Sequence, residues 1–272
     1  MSLLKALKNR IKLESEKSST KSTDSNSLSI TNRTIDFEFN NFTTNFEPVV
    51  LGSIPTILYQ RDFICHEYEA YLIQSIFNED ETNSHTWVTL KTLKLQCYEG
   101  SVQYPQWLTV LTDALIRANV FDEVNRPNHV LINYYAPGQG ILHHVDGPKY
   151  LDRVAILSLC SSTLMTFRKK LDADQIGIEF DGDLFSIILQ SCSLLVFTNE
   201  IYTDYMHGIA SDVTYDTIGM SSYNQSKYDS TSTDDTSYKD CKCLNKDICN
   251  MCDGDVINRN DKRVSLTFRC SI

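Results

Sequence analysis

Along this chain the spacing of apolar residues changes character near residue 128. Upstream, Tyr68, Tyr71, Leu72, Ser75 and Ile76 recur at helical intervals and predict an amphipathic helix over His66–Phe77. Pro105-Gln106-Trp107 opens a second helix, with Trp107, Leu108, Leu111, Ala114, Leu115 and Ala118 facing inward. Pro105 falls near its first turn, where a missing N–H costs nothing. Thr56-Ile57-Leu58-Tyr59 predicts a short strand, and the alternation from Trp87 to Tyr98 predicts one or two more. Downstream, strand-length runs at 129–135, 141–145, 153–160, 163–168, 184–189, 194–198 and 263–270 follow one another between turns, with no helical pattern among them. That texture belongs to an antiparallel jelly-roll or sandwich. The fold class expected is therefore α+β, with N-terminal helices on a β core at about 126–270.

Two stretches fall outside this frame. Residues 1–33 combine a short, weakly amphipathic segment (Leu3, Leu4, Leu7, Ile11, Leu13) with a Ser/Thr/Asn-rich run, and read as a disordered tail before one domain at 34–272. Ser221 to Asp240 is almost wholly Ser, Thr, Asp, Tyr, Lys and Asn. Such a run cannot bury enough apolar area to offset ordering entropy. Residues 213–261 are therefore expected to form a long, largely disordered, low-complexity insertion interrupting the domain.

Composition narrows the class further. The 272 residues are 42% hydrophobic, enough for a core, and the longest apolar runs are far too short to span a bilayer. The opening segment has no long apolar stretch of the secretory kind. Nine cysteines, an odd number, then suit reduced thiols or metal ligands and a location in cytoplasm or nucleus. A monomer is expected. Net charge is −10, which argues against non-specific nucleic-acid binding. The distribution softens that point, because Asp212 to Asp261 alone carries ten Asp against four Lys and one Arg, a net −5.

The chemistry gathers between Asn133 and Asp146. A strand bearing Asn133 and Tyr135 on one face runs into the turn Ala136-Pro137-Gly138, and His144-x-Asp146 follows. In extended chain, residues two apart point the same way, so His144 and Asp146 present an imidazole and a carboxylate to one point while His143 faces the other side. A solvated His and Asp beside a turn is the plainer reading. His207, next to Gly208, is either a loop histidine or a third ligand returned by the β core. Together His144, Asp146 and His207 would make the two-histidine, one-carboxylate set that suits non-haem Fe(II). The last strand adds weight: Val264, Leu266 and Phe268 alternate with Arg263, Ser265, Thr267 and Arg269. Alone it would be a half-exposed strand with solvated arginines. Beside an iron site, two guanidiniums on one face match a dicarboxylate.

These segments, from Leu131-Ile132-Asn133-Tyr134-Tyr135-Ala136-Pro137-Gly138 through His144-Val145-Asp146 and His207-Gly208-Ile209 to Arg263–Arg269, resemble the AlkB-like Fe(II)/2-oxoglutarate dioxygenases, most of all their eukaryotic sixth-homologue branch. The resemblance implies a double-stranded β-helix (jelly-roll) core with Fe(2+) on His144, Asp146 and His207. It implies 2-oxoglutarate as co-substrate, with Arg263 and Tyr135 toward its distal carboxylate and Asn133 and Arg269 toward the metal-chelating end. Ser265 stands where some members place an asparagine. It further implies O2 as the second co-substrate and oxidative demethylation of alkylated RNA or DNA, with release of succinate and CO2. Rival readings are a protein hydroxylase or demethylase of the same chemistry, and a catalytically silent nucleic-acid or protein binding module.

Substrate contacts are expected from Trp87–Tyr98, with Lys94, Gln96 and Tyr98 as the candidates; core packing for Tyr98 and a solvated Lys94 is the competing reading. Cys241, Cys243, Cys249 and Cys252 could bind one Zn(2+) through four thiolates, though their spacing is not that of a standard finger.

Overall fold

The computed structural model describes residues 42, 49–50, 52, 56–77, 87–100, 103–170, 184–220 and 241–272. The tail at 1–33 and the run Ser221–Asp240 lie outside the described residues. The upstream elements are β1 (Val49–Val50), β2 (Ile57–Gln60), α1 (His66–Phe77), β3 (Val88–Thr89), β4 (Lys94–Glu99) and α2 (Gln106–Arg117). The β core follows with β5 (His129–Tyr135), β6 (Ile141–His144), β7 (Arg153–Cys160), β8 (Thr163–Lys169), β9 (Leu184–Leu189) and β10 (Leu194–Thr198). Then come α3 (Asn199–Asp204), β11 (Tyr205–Ile209), β12 (Tyr215–Thr217), β13 (Lys242–Cys243), β14 (Val256–Asn258) and β15 (Arg263–Arg269).

Eight strands form a major sheet in the order β1-β2-β10-β7-β15-β5-β4-β3, and five form a minor sheet, β13-β9-β8-β11-β6. Both are antiparallel except where β13 joins β9. The major sheet is apolar on its outer face. There Val264, Leu266, Phe268, Val130, Ile132, Leu157 and Leu194 meet Tyr68, Leu72 and Ile76 of α1 and Trp107, Leu108, Leu111 and Leu115 of α2. Burying side chains of this size contributes roughly 1.5–3 kcal/mol each, which explains why the two helices carry one apolar stripe apiece. The other face turns inward to the minor sheet, where the Phe197 ring of β10 lies 5.6 Å from Phe167 of β8 and 5.2 Å from His207 of β11. Two sheets face to face, with helices covering one, make the expected jelly roll.

β15 departs from the half-exposed pattern, because all seven of its residues are buried. Its apolar face packs under the helices and its polar face lines the interior, so alternation here separates two buried environments. No helix among the described residues is long and apolar enough to cross a membrane.

The insertion needs correction. Residues 214–220 and 241–261 are folded onto the core, not looped away from it. β12 pairs with β14, and β13 adds in parallel to β9. The Asn245 amide then continues that edge, receiving the Ile188 N–H at 2.8 Å and donating to the Ile188 carbonyl at 2.8 Å. An edge strand that would otherwise expose a row of unpaired amides is thereby covered. Asp216 and Arg259 form a buried ion pair at 3.2 Å, and Asp216 also accepts from Thr163 Oγ1 and the Leu164 N–H. Composition misled because a few apolar residues suffice to anchor these arms: Val213, Ile218, Cys241, Cys243, Cys249 and Ile257 are buried, while Tyr215, Met220 and Val256 stay exposed. Two of these contacts reach the turn after β5. The Gly138 N–H donates to the Arg259 carbonyl at 3.0 Å, and Gly138 has φ +73 with its missing Cβ 3.0 Å from the Val213 carbonyl oxygen.

Candidate functional site

His144 and His207 stand opposite one another in the β6–β11 ladder, with ring centroids 4.5 Å apart. Asp146, two residues beyond His144, brings Oδ2 to 4.0 Å from His207 Nε2. One ligand atom from each of the three residues lies within 4.8 Å of the others. His207 is thus a strand residue rather than a loop histidine, and its neighbours explain why. β11 is held on both sides, by β8 and β6. Gly208 follows because a Cβ there would stand 2.9 Å from both the backbone nitrogen and Nδ1 of His143. His143 itself points to the other side, to Thr166 Oγ1 at 2.8 Å.

Hydrogen bonding and electrostatics favour the ligand forms. His144 donates from Nδ1 to the Leu142 carbonyl at 2.8 Å, which leaves the Nε2 lone pair for a metal. Burial, with His144 beside it, pushes His207 down to about 3, so its ring is neutral at physiological pH. Burial alone would raise the Asp146 carboxyl, but Arg269 and the two histidines outweigh it and hold it below its ordinary value. Asp146 Oδ1 pairs with Arg269 Nη2, while its buried Oδ2 has no hydrogen-bond partner. A deprotonated carboxylate oxygen and two imidazoles, converging in the interior, could hold a divalent metal and leave adjacent positions open.

The residues expected to bind a dicarboxylate share the interior face. Arg263 pairs in register with Tyr135, and Ser265 with Asn133, on β5; Ser265 also faces Ser158 on β7. Arg263 is 3% exposed and donates from Nη2 to Ser158 Oγ at 3.1 Å, yet its Nε and Nη1 have no partner. Asn133 Oδ1 and Arg269 Nε are likewise buried without a partner. Unpaired buried donors on a guanidinium are costly, and an anionic oxygen pair would satisfy them. The donor set fits a dicarboxylate beside the metal. Ser158 is a residue that sequence reasoning missed; only the register of β7 against β15 identifies it.

The substrate residues expected on β4 do not face the pocket. Gln96 pairs with Ile132, Lys94 with Tyr134 and Tyr98 with Val130, all on the outer, helix-covered face. Tyr98 packs edge-on against Trp107 and Tyr104, and Lys94 lies over the Tyr134 ring. The interior face of β4 instead carries Leu95, Cys97 and Glu99, opposite Asn133, Leu131 and His129. Alternation shows two faces and does not say which is inward. The zinc expectation finds no support. Cys241, Cys243, Cys249 and Cys252 are not among the ligand clusters of the described residues. Cys249 sits against the Tyr59 hydroxyl and the Asn245 amide, Cys243 against Asn245, and Cys252 is exposed.

A model of the 2OG-Fe(II) oxygenase superfamily matches residues 69–269. Among curated proteins, the chain is similar to the "Probable RNA/DNA demethylase ALKBH6" of Danio rerio, at 30% identity over 172 residues, covering 59% of this chain and 72% of the relative. It is 26% identical over 187 residues to the "tRNA (carboxymethyluridine(34)-5-O)-methyltransferase ALKBH8" of Macaca fascicularis, where the match covers 63% of this chain and 26% of that one. The solved structure of OsALKBH1 aligns with a TM-score of 0.45 at 15% identity, covering 79% of this chain and 97% of the other.

Proposed function

The chain belongs to the 2OG-Fe(II) oxygenase superfamily and is AlkB-like, and from that premise we propose that it oxidatively demethylates an alkylated nucleic acid. In this reading His144, Asp146 and His207 hold ferrous iron. Arg263, with Tyr135 and Ser158, receives the distal carboxylate of 2-oxoglutarate, and Asn133, Ser265 and Arg269 border its metal-chelating end. The observation that carries the reading is the Arg263 guanidinium, buried on the face that leads to His144 and His207 with Nε and Nη1 unpartnered. Iron, 2-oxoglutarate and O2 together supply the oxidant that hydroxylates a C–H bond; an N-methyl carbon so hydroxylated leaves as formaldehyde.

The chain's own residues do the positioning. Arg269 keeps Asp146 ionised, and the Leu142 carbonyl fixes the His144 tautomer. Asn133, Asp146, His207, Arg263 and Arg269 are buried, where charge-assisted bonds are strengthened. The nucleic-acid substrate is supported by the name that the Danio rerio relative carries. A base inside a duplex would have to be extruded to reach the iron. Leu95, Cys97 and Glu99 of β4, on the interior face, would border it there. Cytoplasm or nucleus belongs to the same reading, and all nine cysteines are free thiols.

The test measures succinate and formaldehyde formed from 2-oxoglutarate, Fe(II) and methylated RNA or DNA oligonucleotides. Iron-dependent turnover that disappears in His144→Ala and Arg263→Ala is expected. Succinate production surviving both substitutions would overturn the site. Turnover on peptides alone would make the protein a protein hydroxylase, and iron binding without turnover on any substrate would make it a binding module.

A further inference from the structure

A second group of ligand-type side chains stands where α1 begins against the β9–β10 turn. His66 Nδ1 lies 3.2 Å from Glu69 Oε2 and 3.3 Å from Cys192 Sγ. One ligand atom from each of the three residues is within 4.8 Å of the others. Zinc bonds of about 2.0–2.1 Å to nitrogen, 2.0–2.2 Å to oxygen and 2.3 Å to sulfur, at tetrahedral angles, put N···O and N···S separations at roughly 3.4 and 3.6 Å. The observed spacings are within a few tenths of those edges.

The neighbours orient the donors. Glu69 Oε1 accepts from the Cys160 N–H at 2.6 Å and from Ser191 Oγ, leaving Oε2 toward His66. Such outer contacts are how metal-binding carboxylates are held. Cys192 is 1% exposed and has φ +65, a left-handed conformation that a turn alone would give to Gly or Asn. Its carbonyl takes the N–H groups of Phe63 and Ile64, fixing the turn against the start of α1. The His66 side chain is 76% exposed, which leaves a way in from solvent. Charge favours a cation, since among the described residues Glu69 has no Lys or Arg partner, and burial, then the Glu69 charge, raises the Cys192 thiol. A comparable cluster of Cys97, Glu99 and His129 lacks this property, because the Lys149 ammonium already holds Glu99 at 2.7 Å.

We propose that His66, Glu69 and Cys192 are the protein ligands of a second divalent-cation site, of the zinc class, separate from the His144–Asp146–His207 site. Three protein donors leave a fourth position for water. Binding ionises the Cys192 thiol, and its proton passes to solvent. The ion ties the first turn of α1 to the β9–β10 turn. Through Glu69 and the Cys160 N–H it also ties α1 to the end of β7, which pairs with Arg263.

The full-length, metal-free chain is titrated with Co(2+) as the probe. The iron triad contains no sulfur, so a thiolate-to-cobalt charge-transfer band reports this site alone among the two. One equivalent of band-forming Co(2+) is expected, displaced by Zn(2+). The band vanishes in Cys192→Ser, and His66→Ala and Glu69→Gln weaken binding by roughly tenfold to a hundredfold or more, at least the range seen when outer-shell partners are changed. Retained Fe(II) binding at the triad shows that each variant is folded. No sulfur band in the parent chain, or a band that survives Cys192→Ser, overturns the proposal.

Discussion

Arg263 and Tyr135 face each other across the β15–β5 ladder, with the guanidinium carbon 5.3 Å from the phenol ring centroid. Burial pushes Arg263 down to about 10 and raises the Tyr135 hydroxyl. Among the described residues no carboxylate pairs with this charge, which is therefore a standing cost in the co-substrate-free protein. Arg263→Met is expected to leave the melting temperature of that form unchanged or raised. Loss of one partner from a buried charge pair costs about 2–5 kcal/mol, so KM for 2-oxoglutarate should rise roughly thirtyfold to a few thousandfold. Arg263→Lys should not restore it, because an ammonium lacks the planar fork. Paired measurements of KM and melting temperature check this; a destabilised protein with unchanged KM would contradict it.

Gly208 sets the distance between the two histidine strands. An alanine there would place Cβ 2.9 Å from the His143 backbone nitrogen and ring. β6 is the outermost strand of its sheet, so it is the element that yields. Overpacking of this kind costs about 1–3 kcal/mol. Gly208→Ala should thus weaken ferrous-iron binding by roughly tenfold or more, with the circular dichroism of the β core preserved. Unchanged iron affinity would show that His144 follows His207 without loss.

The Asp216–Arg259 pair joins the insertion to β8 and to the turn at Gly138. Asp216→Ala leaves a guanidinium buried without its partner, which costs about 3–5 kcal/mol. Urea unfolding should register that loss, accompanied by weaker iron binding although no ligand has been touched. A change below about 1 kcal/mol would mean that the folded arms of the insertion contribute little to the domain.

His129 offers a pH test. Burial, reinforced by the Arg269 charge, lowers it to about 4 from an ordinary 6.5. The unfolded chain therefore binds a proton in a range where the folded chain does not. Above about 6.5 the difference vanishes; as pH falls from there toward 4, folding stability declines, by about 3 kcal/mol at most from this residue. His129→Gln should flatten the acid limb of the stability profile measured by thermal unfolding between pH 7 and 4. An acid limb as steep as the parent's would assign the loss to other groups.

Elements with a strong hydrophobic period are legible from residue spacing alone. α1 matches the span read from its helical spacing, and β15 ends within one residue of the span read from alternation. β11 is not legible in this way, because Tyr205-Met206-His207-Gly208-Ile209 is short, contains glycine, and becomes a strand only through ladders to β8 and β6. The folded parts of 213–261 are hidden for a related reason: sparse apolar residues, averaged with a long polar run, give no periodic signal. Lys94, Gln96 and Tyr98 illustrate a different limit, one of facing. Only the pairing of Leu95 with Asn133 tells which half of β4 looks at the pocket.

β15 is the last strand in chain order and lies between β5 and β7, both made more than a hundred residues earlier. Contacts of such long sequence separation close slowly, because loop entropy must be overcome before they form. A molecule that has paired everything up to β14 still has a one-strand gap in the middle of its major sheet. Until that gap closes it also lacks both arginines, so on the site assignment proposed above a half-folded chain with iron on His144 and His207 would have no guanidinium to seat a dicarboxylate. On that assignment, completion of the sheet and onset of oxidative chemistry would be a single event in the folding of this protein.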